Sequence, residues 1–329
     1  MVSKKCTLFS KYDRNENLDL FFSTTWCRDR LFTSENPNDI LKFYDTFSNR
    51  DELIQWMKER PKGRAEIIEV EGDKEIIVVI PTADFNGRYA KECRENIFKG
   101  LHIIFVESGY PKDPYFNYAH NCNVGIKKAM EYNPKWIVLS NDDMIKVDDP
   151  SVLINELKSI NPSIINAVFT DRSEYHSVPS RVTRARLIRK ILFFLSGKRN
   201  DRRERLKLEK KFKVRFLVAN DKTLYGDIFF KPGQSFVQFT DFAILSSRFV
   251  AEHSFKILDD AFINGGEDVE LSLSVFEDTS KITYICYRIG DNIGATMGNS
   301  KRGHRALRDV VNEAYFSFLI ERKHIDIDV

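Results

Sequence analysis

The chain has 329 residues, of which 42% are apolar and 30% charged, and its formal net charge is +3. This composition excludes the low-hydrophobicity regime of disorder and a fibrous repeat. A spanning helix is also excluded, since uninterrupted apolar runs reach only about five residues against the roughly 20 required. Five scattered cysteines without a Cys-x-x-Cys pair argue against a zinc finger and favour a reducing compartment. We therefore expect a cytoplasmic protein.

Residues 1–74 form an N-terminal accessory region in which we find no motif for chemistry. Within it, Asp51–Lys58 has a helical pattern that Pro61 ends, and Ile67–Val70 is apolar enough for a short strand. The pattern becomes regular only from residue 75.

Three apolar runs then alternate with helical segments. The runs are Ile76–Ile80, Ile103–Val106 and Trp136–Leu139, and polar, Gly or Pro residues end each of them. Residues 88–99 and 121–132 between them have helical patterns. Continuous apolar strands that alternate with helices are typical of a parallel sheet covered on both faces, as in nucleotide-binding α/β folds.

The second half of the chain departs from this alternation. Its predicted elements are a helix at 151–160, strands at 167–169, 227–230 and 239–245, a helix at 267–276, a strand at 282–287 and a closing helix at 303–322. This order predicts that the parallel sheet continues into a mixed sheet.

The strand that begins at Trp136 ends in three polar residues, Asn141, Asp142 and Asp143. Adjacent carboxylates at the tip of a buried strand repel each other, and a divalent cation with oxygen ligands would offset that cost. Open α/β sheets also bind ligands at this edge. An Asx-type turn in a solvated loop explains the same residues, so the triplet alone leaves both interpretations open.

Four stretches, taken in order, resemble a known family. They are IIVVIPTADFNG, HIIFVESG, NYAHNCNVGIKKAM followed by WIVLSNDDM, and FTDFAILSSRFVAEHSFKILDDAFINGGEDVELSLS. Over roughly residues 75–320 the chain resembles the inverting family-2 glycosyltransferases with a GT-A fold. The resemblance implies an α/β fold of GT-A type: an open, mostly parallel nucleotide-binding sheet flanked by helices, which continues into a mixed acceptor-binding sheet.

The same resemblance divides the chain after residue 74. It implies a catalytic domain over 75–329, with a nucleotide-sugar-binding half at 75–150 and an acceptor half at 151–329. A basic insertion at 181–215 interrupts the acceptor half.

In the donor half the resemblance implies contacts with a nucleotide-diphospho sugar, UDP- or GDP-linked. Glu107 would accept hydrogen bonds from the base or ribose, and Asn141 or Asp142 would face the ribose. The full set of implied donor contacts is Pro81, Thr82, Asp84, Glu107, Asn123, Asn141 and Asp142. Asp143 would bind a divalent metal, Mn²⁺ or Mg²⁺, that bridges the diphosphate.

In the acceptor half the resemblance gives Glu267 and Asp268 catalytic positions. Asp268 would be the general base that takes a proton from the attacking hydroxyl, with inversion at the anomeric carbon. Both acids also lie in the first turn of the predicted helix, where the helix dipole favours carboxylates, so helix capping is an alternative. The acceptor would be a glycan or a lipid-linked molecule.

Two positions depart from the family. Ser274 stands where the family often has an arginine, and Asn292 stands where it often has a histidine that serves as a further metal or phosphate ligand. The amide oxygen of Asn292 suits Mg²⁺, and Asp291 could substitute as a ligand. His304 is another candidate, although a lone histidine in a basic turn is more often solvated.

The basic insertion contains fifteen Lys or Arg and three acids, a net charge of +12, so the rest of the chain carries 3 − 12 = −9. Its apolar stripe Leu187–Leu195, flanked by cations, suits a helix in the interface of an anionic membrane. A core-packed helix followed by a solvated charged one explains the same pattern. Nucleic-acid binding is disfavoured, because no recognition motif accompanies the charge.

Two other functions remain open at this point. A sugar-phosphate nucleotidyltransferase shares the sheet architecture, but the loop Thr82–Arg88 fits its Gly-rich phosphate-binding loop only in part. A catalytically inactive relative that docks to a membrane or nucleic acid through the basic insertion would explain the missing histidine and arginine.

Overall fold

The computed structural model describes residues 24–109, 113–177, 191, 199–216, 235–276, 279–292 and 302–325. Its strands are β1 (Glu66–Val70), β2 (Asp73–Thr82), β3 (Leu101–Glu107), β4 (Trp136–Ser140), β5 (Met144–Lys146), β6 (Ala167–Phe169), β7 (Glu174–Ser177), β8 (Ser235–Gln238), β9 (Phe242–Ser246), β10 (Ile282–Tyr284) and β11 (Ile289–Asp291).

Its helices are α1 (Thr24–Thr33), α2 (Pro37–Asp45), α3 (Arg50–Glu59), α4 (Arg88–Glu92), α5 (Tyr118–Met130), α6 (Pro150–Lys158), α7 (Arg199–Lys211), α8 (Ser247–Glu252), α9 (Glu267–Phe276) and α10 (Arg302–Ile325). A π-helical turn, Cys93–Ile97, continues α4, and a 3₁₀ turn, Thr279–Lys281, precedes β10.

Seven strands form one mixed sheet in the order β1-β3-β2-β4-β9-β6-β10. Strands β3, β2 and β4 are parallel, β9 runs antiparallel between β4 and β6, and β10 is parallel to β6. Helices flank this sheet, so the predicted α/β class with a parallel centre and a mixed continuation is confirmed.

The strand directions bring several chain segments to one edge of the sheet. Strands β2, β3, β4 and β6 all end there, and β9 begins there, because Ser140 at the end of β4 pairs with Phe242 at the start of β9. The residues that follow four strands and precede a fifth are therefore neighbours in space.

Both faces of the sheet are buried, which explains the continuous apolar runs. In β2, Ile77 and Val79 pack in the same core as Ile126 of α5, whereas Val78 and Ile80 pack on the opposite face. The cover of that second face includes α4, its π-helical turn and α6.

Helix α5 begins at Tyr118, three residues before the predicted start at 121. Asn117 is its N-cap, and the Asn117 side chain accepts a hydrogen bond from the backbone N–H of His120. In contrast, the predicted helix at 88–99 is regular only over α4, because residues from Cys93 onward adopt the π-helical turn.

The N-terminal helices α1, α2 and α3 pack against α10 and the chain from Leu208 to Phe216 in a third core. Trp56, Phe43 and Phe212 are among its fully buried side chains. Strand β1 also precedes residue 75, yet it pairs antiparallel with β3 at the edge of the sheet. The accessory region is thus packed against elements from the far end of the chain.

Close packing of α5 on the sheet depends on Gly125. A Cβ atom at this position would overlap Cγ1 of Val79 and lie 2.9 Å from Cγ2 of Val106. We expect Gly125→Ala to lower the free energy of unfolding by about 1–3 kcal/mol through overpacking. Chemical denaturation tests this, and Val79→Ala provides the control: in that background, where the overlapping methyl is gone, the same substitution should be less destabilising. An equal cost in both backgrounds would contradict this packing argument.

In the described part of the chain, no helix is both long and apolar enough to cross a membrane.

Candidate active site

The polar ends of the central strands meet at the edge of the sheet where β4 ends and β9 begins. The sequence-predicted residues Thr82, Asn141, Asp142 and Asp143 lie there. The backbone N–H of Asn141, a half-buried residue, donates to the carbonyl of Asp241 at 3.1 Å, which ties the end of β4 to the start of β9.

Asp142 is held from two sides beneath this edge. The hydroxyl of Thr82 donates to Asp142 Oδ2 at 2.7 Å, and the thiol of Cys93 donates to the Asp142 carbonyl at 3.3 Å. Asp142 is only 7% exposed. Burial raises the pKa of Asp142 to about 6, opposed by the Thr82 hydrogen bond and reinforced by the charge of Asp143. Burial and the neighbouring Asp143 therefore disfavour the charged form of the Asp142 carboxylate.

This shift predicts a pH dependence of stability in the metal-free protein. A folded-state pKa above the ordinary 3.8 means that the native state binds the extra proton between pH 4 and 6, so stability falls as pH rises through that range. Asp142→Asn removes the effect and should stabilise the protein at pH 7 by up to about 3 kcal/mol. Denaturation with a chelator present, at pH 4 and pH 7, measures it.

Asp148 provides a control of opposite sign. Its hydrogen bonds with Arg288 lower the pKa of Asp148, so its stabilising contribution is present at neutral pH and is lost as pH falls. Asp148→Asn should therefore be destabilising at pH 7. If Asp142→Asn behaved in the same way, burial of the Asp142 charge would not be a cost to the fold.

Asp143, Asp291 and Asn292, the three predicted metal ligands, are brought together by a two-stranded ribbon. Strand β5 pairs antiparallel with β11, with Met144 opposite Asp291, and the N–H of Asn292 donates to the Asp143 carbonyl at 2.9 Å. Asp143 is 5% exposed. Residues that lie 292 − 143 = 149 positions apart in the chain thus become neighbours.

The donor set of this ribbon fits a hard divalent ion. Carboxylate and amide oxygens suit Mg²⁺, which is often held by one or two carboxylates plus substrate phosphates and water. Within the described residues, no group of three or more His, Cys, Asp or Glu side chains forms a complete metal site. If a divalent ion bound at this ribbon, water or a substrate with phosphate oxygens would have to supply the remaining ligands.

Two residues that sequence reasoning missed, Arg172 and Asp241, also lie at the edge where β4 ends and β9 begins. Together with Asp142, Asp143 and Asp291 they form what we call the acidic edge. Arg172, just after β6, donates to both carboxylate oxygens of Asp241, from Nε at 3.2 Å and from Nη2 at 2.8 Å. Its Nη2 also lies 3.0 Å from Asp291 Oδ2. Burial and the neighbouring Asp241 raise the pKa of Asp291 to about 6, while Arg172 opposes the shift. Both residues flank strands that end or begin at this edge, but no local sequence signal indicates that they meet.

Asp268 and Glu267 begin α9. Gln238 Nε2 donates to Asp268 Oδ2 at 3.1 Å, and the N–H of Gly265 donates to Glu267 Oε2 at 2.7 Å. Asp268 keeps part of its surface accessible, but protein surrounds most of it, and this burial raises its pKa against the effect of the Gln238 hydrogen bond. Glu267 thus stabilises the turn before the helix, while Asp268 is a partly accessible carboxylate whose pKa is raised.

The loop before α9 is fixed to the start of α5. Asn117 Nδ2 donates to the carbonyls of Asp260 and Phe262, at 3.0 and 2.8 Å, and the N–H of Tyr118 donates to Asn264 Oδ1 at 2.8 Å. Burial, followed by weaker effects that include the charges of Glu267 and Asp241, raises the pKa of Tyr118. Tyr118 therefore lies near Glu267 of α9 and near Asp241, which precedes β9.

Three of the residues predicted to contact the nucleotide sugar are hydrogen-bonded to other parts of the protein. Asn123 Nδ2 donates to the Leu258 carbonyl at 2.7 Å, and its Oδ1 accepts from the Leu258 N–H at 3.3 Å. Glu107 Oε2 accepts from the N–H of Phe85 at 2.9 Å, and Asp84 Oδ1 accepts from the N–H of Asn86 at 2.9 Å. Asn123 thus holds the loop before α9, whereas Glu107 and Asp84 shape the loop after β2.

The remaining predicted positions lie in β2, in α9 or outside the described residues. Pro81 lies within β2, opposite Val106 of β3, next to the Thr82 that contacts Asp142. The hydroxyl of Ser274, where the family often has arginine, donates to the Leu271 carbonyl at 2.8 Å within α9. The His304 side chain and residues 293–296 lie outside the described residues.

Only part of the basic insertion is described, and that part is packed into the fold. Arg205 of α7 forms ion pairs with Glu209 at 2.9 Å and Glu313 of α10 at 2.5 Å, and Leu208 and Phe212 are buried. The alternative of a core-packed helix followed by a solvated charged one is therefore wrong for its second part, because the charged second half of the insertion is itself packed through Arg205, Leu208 and Phe212. The apolar stripe at 187–195 lies outside the described residues apart from Ile191, which is exposed.

No protein-family model matches the chain, and no curated protein matches it at a significant level.

Proposed function

We propose that the protein is a metal-dependent inverting glycosyltransferase of GT-A type, which moves a sugar from a nucleotide-diphospho sugar to a hydroxyl acceptor by single displacement. One observation carries the proposal. Carboxylates at the end of β4 and on β11 gather at the edge of the mixed sheet where the parallel strands β2, β3 and β4 end. The loop before α9 is fixed to the start of α5, and Asp268 lies in the first turn of α9. Open α/β sheets bind ligands at this edge.

The donor would lie over the ends of β2 and β4. Thr82 and Asp142 form the floor of this region, and Asn141 offers an amide that can hydrogen-bond a ribose. Asp84, Glu107 and Pro81 shape its rim. In this proposal Asn123 acts through the loop at Leu258 that it holds.

Asp143, Asp291 and Asn292 would hold the divalent ion, Mn²⁺ or Mg²⁺. Bound there, the ion would act as a Lewis acid that neutralises charge on the departing diphosphate. The chain's own part is to keep these oxygen donors together through the β5–β11 pairing and to keep the adjacent Asp142 buried.

Asp268 would take the proton from the attacking hydroxyl. A carboxylate whose pKa is raised by burial is a stronger base than a solvated one, and Gln238 holds its Oδ2 in a defined orientation. Attack from the face opposite the leaving diphosphate would invert the anomeric centre. Glu267 supports this geometry through Gly265.

The loop after β2 argues against the nucleotidyltransferase alternative. Its successive N–H groups are already used within the protein: Asp84 donates to Thr82 Oγ1, Phe85 to Glu107, Asn86 to the Asp84 side chain and Gly87 to the Asp84 carbonyl. A loop that cradles phosphates needs such groups directed at the ligand. The N–H groups of this loop instead donate to acceptors within the protein.

Incubation with a panel of nucleotide sugars and Mn²⁺ tests the proposed function. We expect release of a nucleoside diphosphate from at least one UDP- or GDP-sugar, dependent on metal and faster with the right hydroxyl acceptor. Pyrophosphate release from a nucleoside triphosphate would favour the nucleotidyltransferase instead. If neither product forms with any donor, the proposal of enzymatic transfer fails.

A further inference from the structure

Arg172 occupies an unusual position among the acidic residues of the sheet edge. Its guanidinium bridges two carboxylates, with a two-pronged contact to Asp241 and a single contact, from Nη2, to Asp291 at 3.0 Å. Its side chain is 25% exposed, compared with 12% for Asp241 and 17% for Asp291. The bridge therefore borders the open part of the site.

The backbone of Arg172 is firmly attached. Its N–H donates to Thr170 Oγ1 at 3.2 Å, and its carbonyl accepts from the Thr240 hydroxyl at 2.9 Å. The Thr240 hydroxyl also lies 2.8 Å from Asp241 Oδ1. Arg172 and Asp241 thus form one fixed unit, whereas Asp291 belongs to the separate β5–β11 ribbon.

The two contacts differ in strength. Paired N–H···O bonds between guanidinium and carboxylate are stronger and more specific than a single one. Asp291 is therefore the partner that Arg172 gives up more easily. Asp291 is also one of the three residues that would hold the divalent ion.

Two carboxylates, Asp241 and Asp291, share the single guanidinium of Arg172, and the charge of Asp143 is among the effects that raise the pKa of Asp291. A divalent cation bound at Asp291 would offset this repulsion between carboxylates. The cation and the guanidinium would then compete for Asp291, because both are positively charged and both need the same carboxylate.

We propose that Arg172 is an exchangeable counter-ion: it holds Asp291 in the free protein, yields Asp291 to the divalent ion, and then donates its freed N–H groups to the diphosphate of the donor. This inference rests on the proposed function for its last step. The first step, competition between Arg172 and a metal ion, concerns the free protein alone. Asp241 keeps Arg172 at the site throughout.

Arg172→Gln separates the two steps. Titration of the free protein with Mn²⁺, followed by electron paramagnetic resonance, should show at least about tenfold tighter metal binding than in the unaltered protein, because the competing charge is gone. At saturating Mn²⁺, calorimetry should show at least about tenfold weaker binding of UDP or GDP. The opposite signs distinguish an exchangeable counter-ion from a structural bridge.

Arg288→Gln is the matched control. Arg288 is a cation three residues before Asp291, but it pairs with Asp148 at 2.8 Å and is 62% exposed. Its removal should change each affinity by less than about twofold, since exposed pairs contribute little. Arg172→Lys, which keeps the charge without the paired contact, should fall between Arg172→Gln and the unaltered protein.

Several results would overturn the proposal. A parallel loss of metal and diphosphate binding in Arg172→Gln would make Arg172 a structural bridge, and unchanged Mn²⁺ affinity, or no Mn²⁺ binding in any variant, would rule out the competition. If Arg172→Gln does not fold, Arg172→Lys decides: unaltered Mn²⁺ affinity contradicts the proposal. If Arg172→Gln binds Mn²⁺ more tightly but no variant binds UDP or GDP, competition between Arg172 and the metal ion is supported. The same result refutes donation to the diphosphate, and the proposed function with it.

Discussion

Asp268→Asn should lower the rate of sugar transfer by about 1,000-fold, because loss of a general base typically costs two to four orders of magnitude. The amide has the same shape, and its oxygen can still accept from Gln238 Nε2. Binding of metal and donor should therefore persist, and the thermal stability should not fall, since a buried charge is removed. Steady-state kinetics alongside a nucleotide titration measures the two effects separately.

Glu270→Gln is the matched control for this substitution. Glu270 lies in the same first turn of α9, so its replacement removes a carboxylate from the same helix end. Transfer should change by less than about threefold, in the range of a lost helix-dipole contact. Comparable losses in both variants would assign the effect to the helix end in general and would remove Asp268 as the base.

The pH profile of sugar transfer by the unaltered protein provides a second check on Asp268. Burial raises its pKa, so the carboxylate form that accepts a proton is lost at a higher pH than for an ordinary aspartate. The rate should fall as the pH drops through that raised value. A profile that stays flat down to pH 4 would be incompatible with Asp268 as the base.

Asp143→Asn should weaken Mn²⁺-dependent binding of the nucleoside diphosphate by at least about 100-fold, since even the supporting partners of metal ligands contribute 10- to 100-fold. The fold should be retained, because the ribbon contact with Asn292 uses the backbone carbonyl of Asp143. Calorimetric titration with Mn²⁺ and UDP or GDP measures the loss. Transfer should fall by a similar factor.

Asp149→Asn tests whether any nearby carboxylate has this effect. Asp149 is the N-cap of α6, and its Oδ1 accepts from the Ser151 N–H at 3.1 Å, a contact that asparagine reproduces. We expect no change in metal-dependent binding. A normal titration of Asp143→Asn would contradict the assignment of Asp143 as a metal ligand.

The N-terminal helices and α10 support the site indirectly. Asn312 of α10 forms two hydrogen bonds with the backbone of Ile263, at 2.9 and 3.0 Å, and the Tyr315 hydroxyl donates to Asp259 at 2.6 Å. Both contacts fix the loop before α9. Because α10 packs in one core with α1, α2 and α3, the accessory region supports the helix that carries Asp268.

The sequence predicted those parts of the fold that depend on local pattern. The apolar run at Ile76–Ile80, the polar triplet after β4 and the helix at 267–276 all lie where their periodicity placed them. Each of these features is specified within about ten residues, and burial on both faces of the sheet leaves a continuous apolar signal.

The parts that escaped prediction depend on contacts between distant segments. Arg172 meets Asp241 only because β9 runs antiparallel between β4 and β6, and nothing local to either residue indicates that pairing. Likewise, Asn123 carries no local sign that its amide would hold the backbone of Leu258, 135 residues away. The sheet topology determines which side chains share this edge.

We propose that this acidic sheet edge binds a nucleoside diphosphate through a divalent ion. Calorimetric titration of UDP and of GDP, each with Mn²⁺ and each with a chelator, tests this binding most directly. We predict that at least one of the two binds with Mn²⁺, that chelation abolishes the binding, and that Asp143→Asn does the same. No binding of either nucleotide, or binding that is equal without metal, would contradict the account.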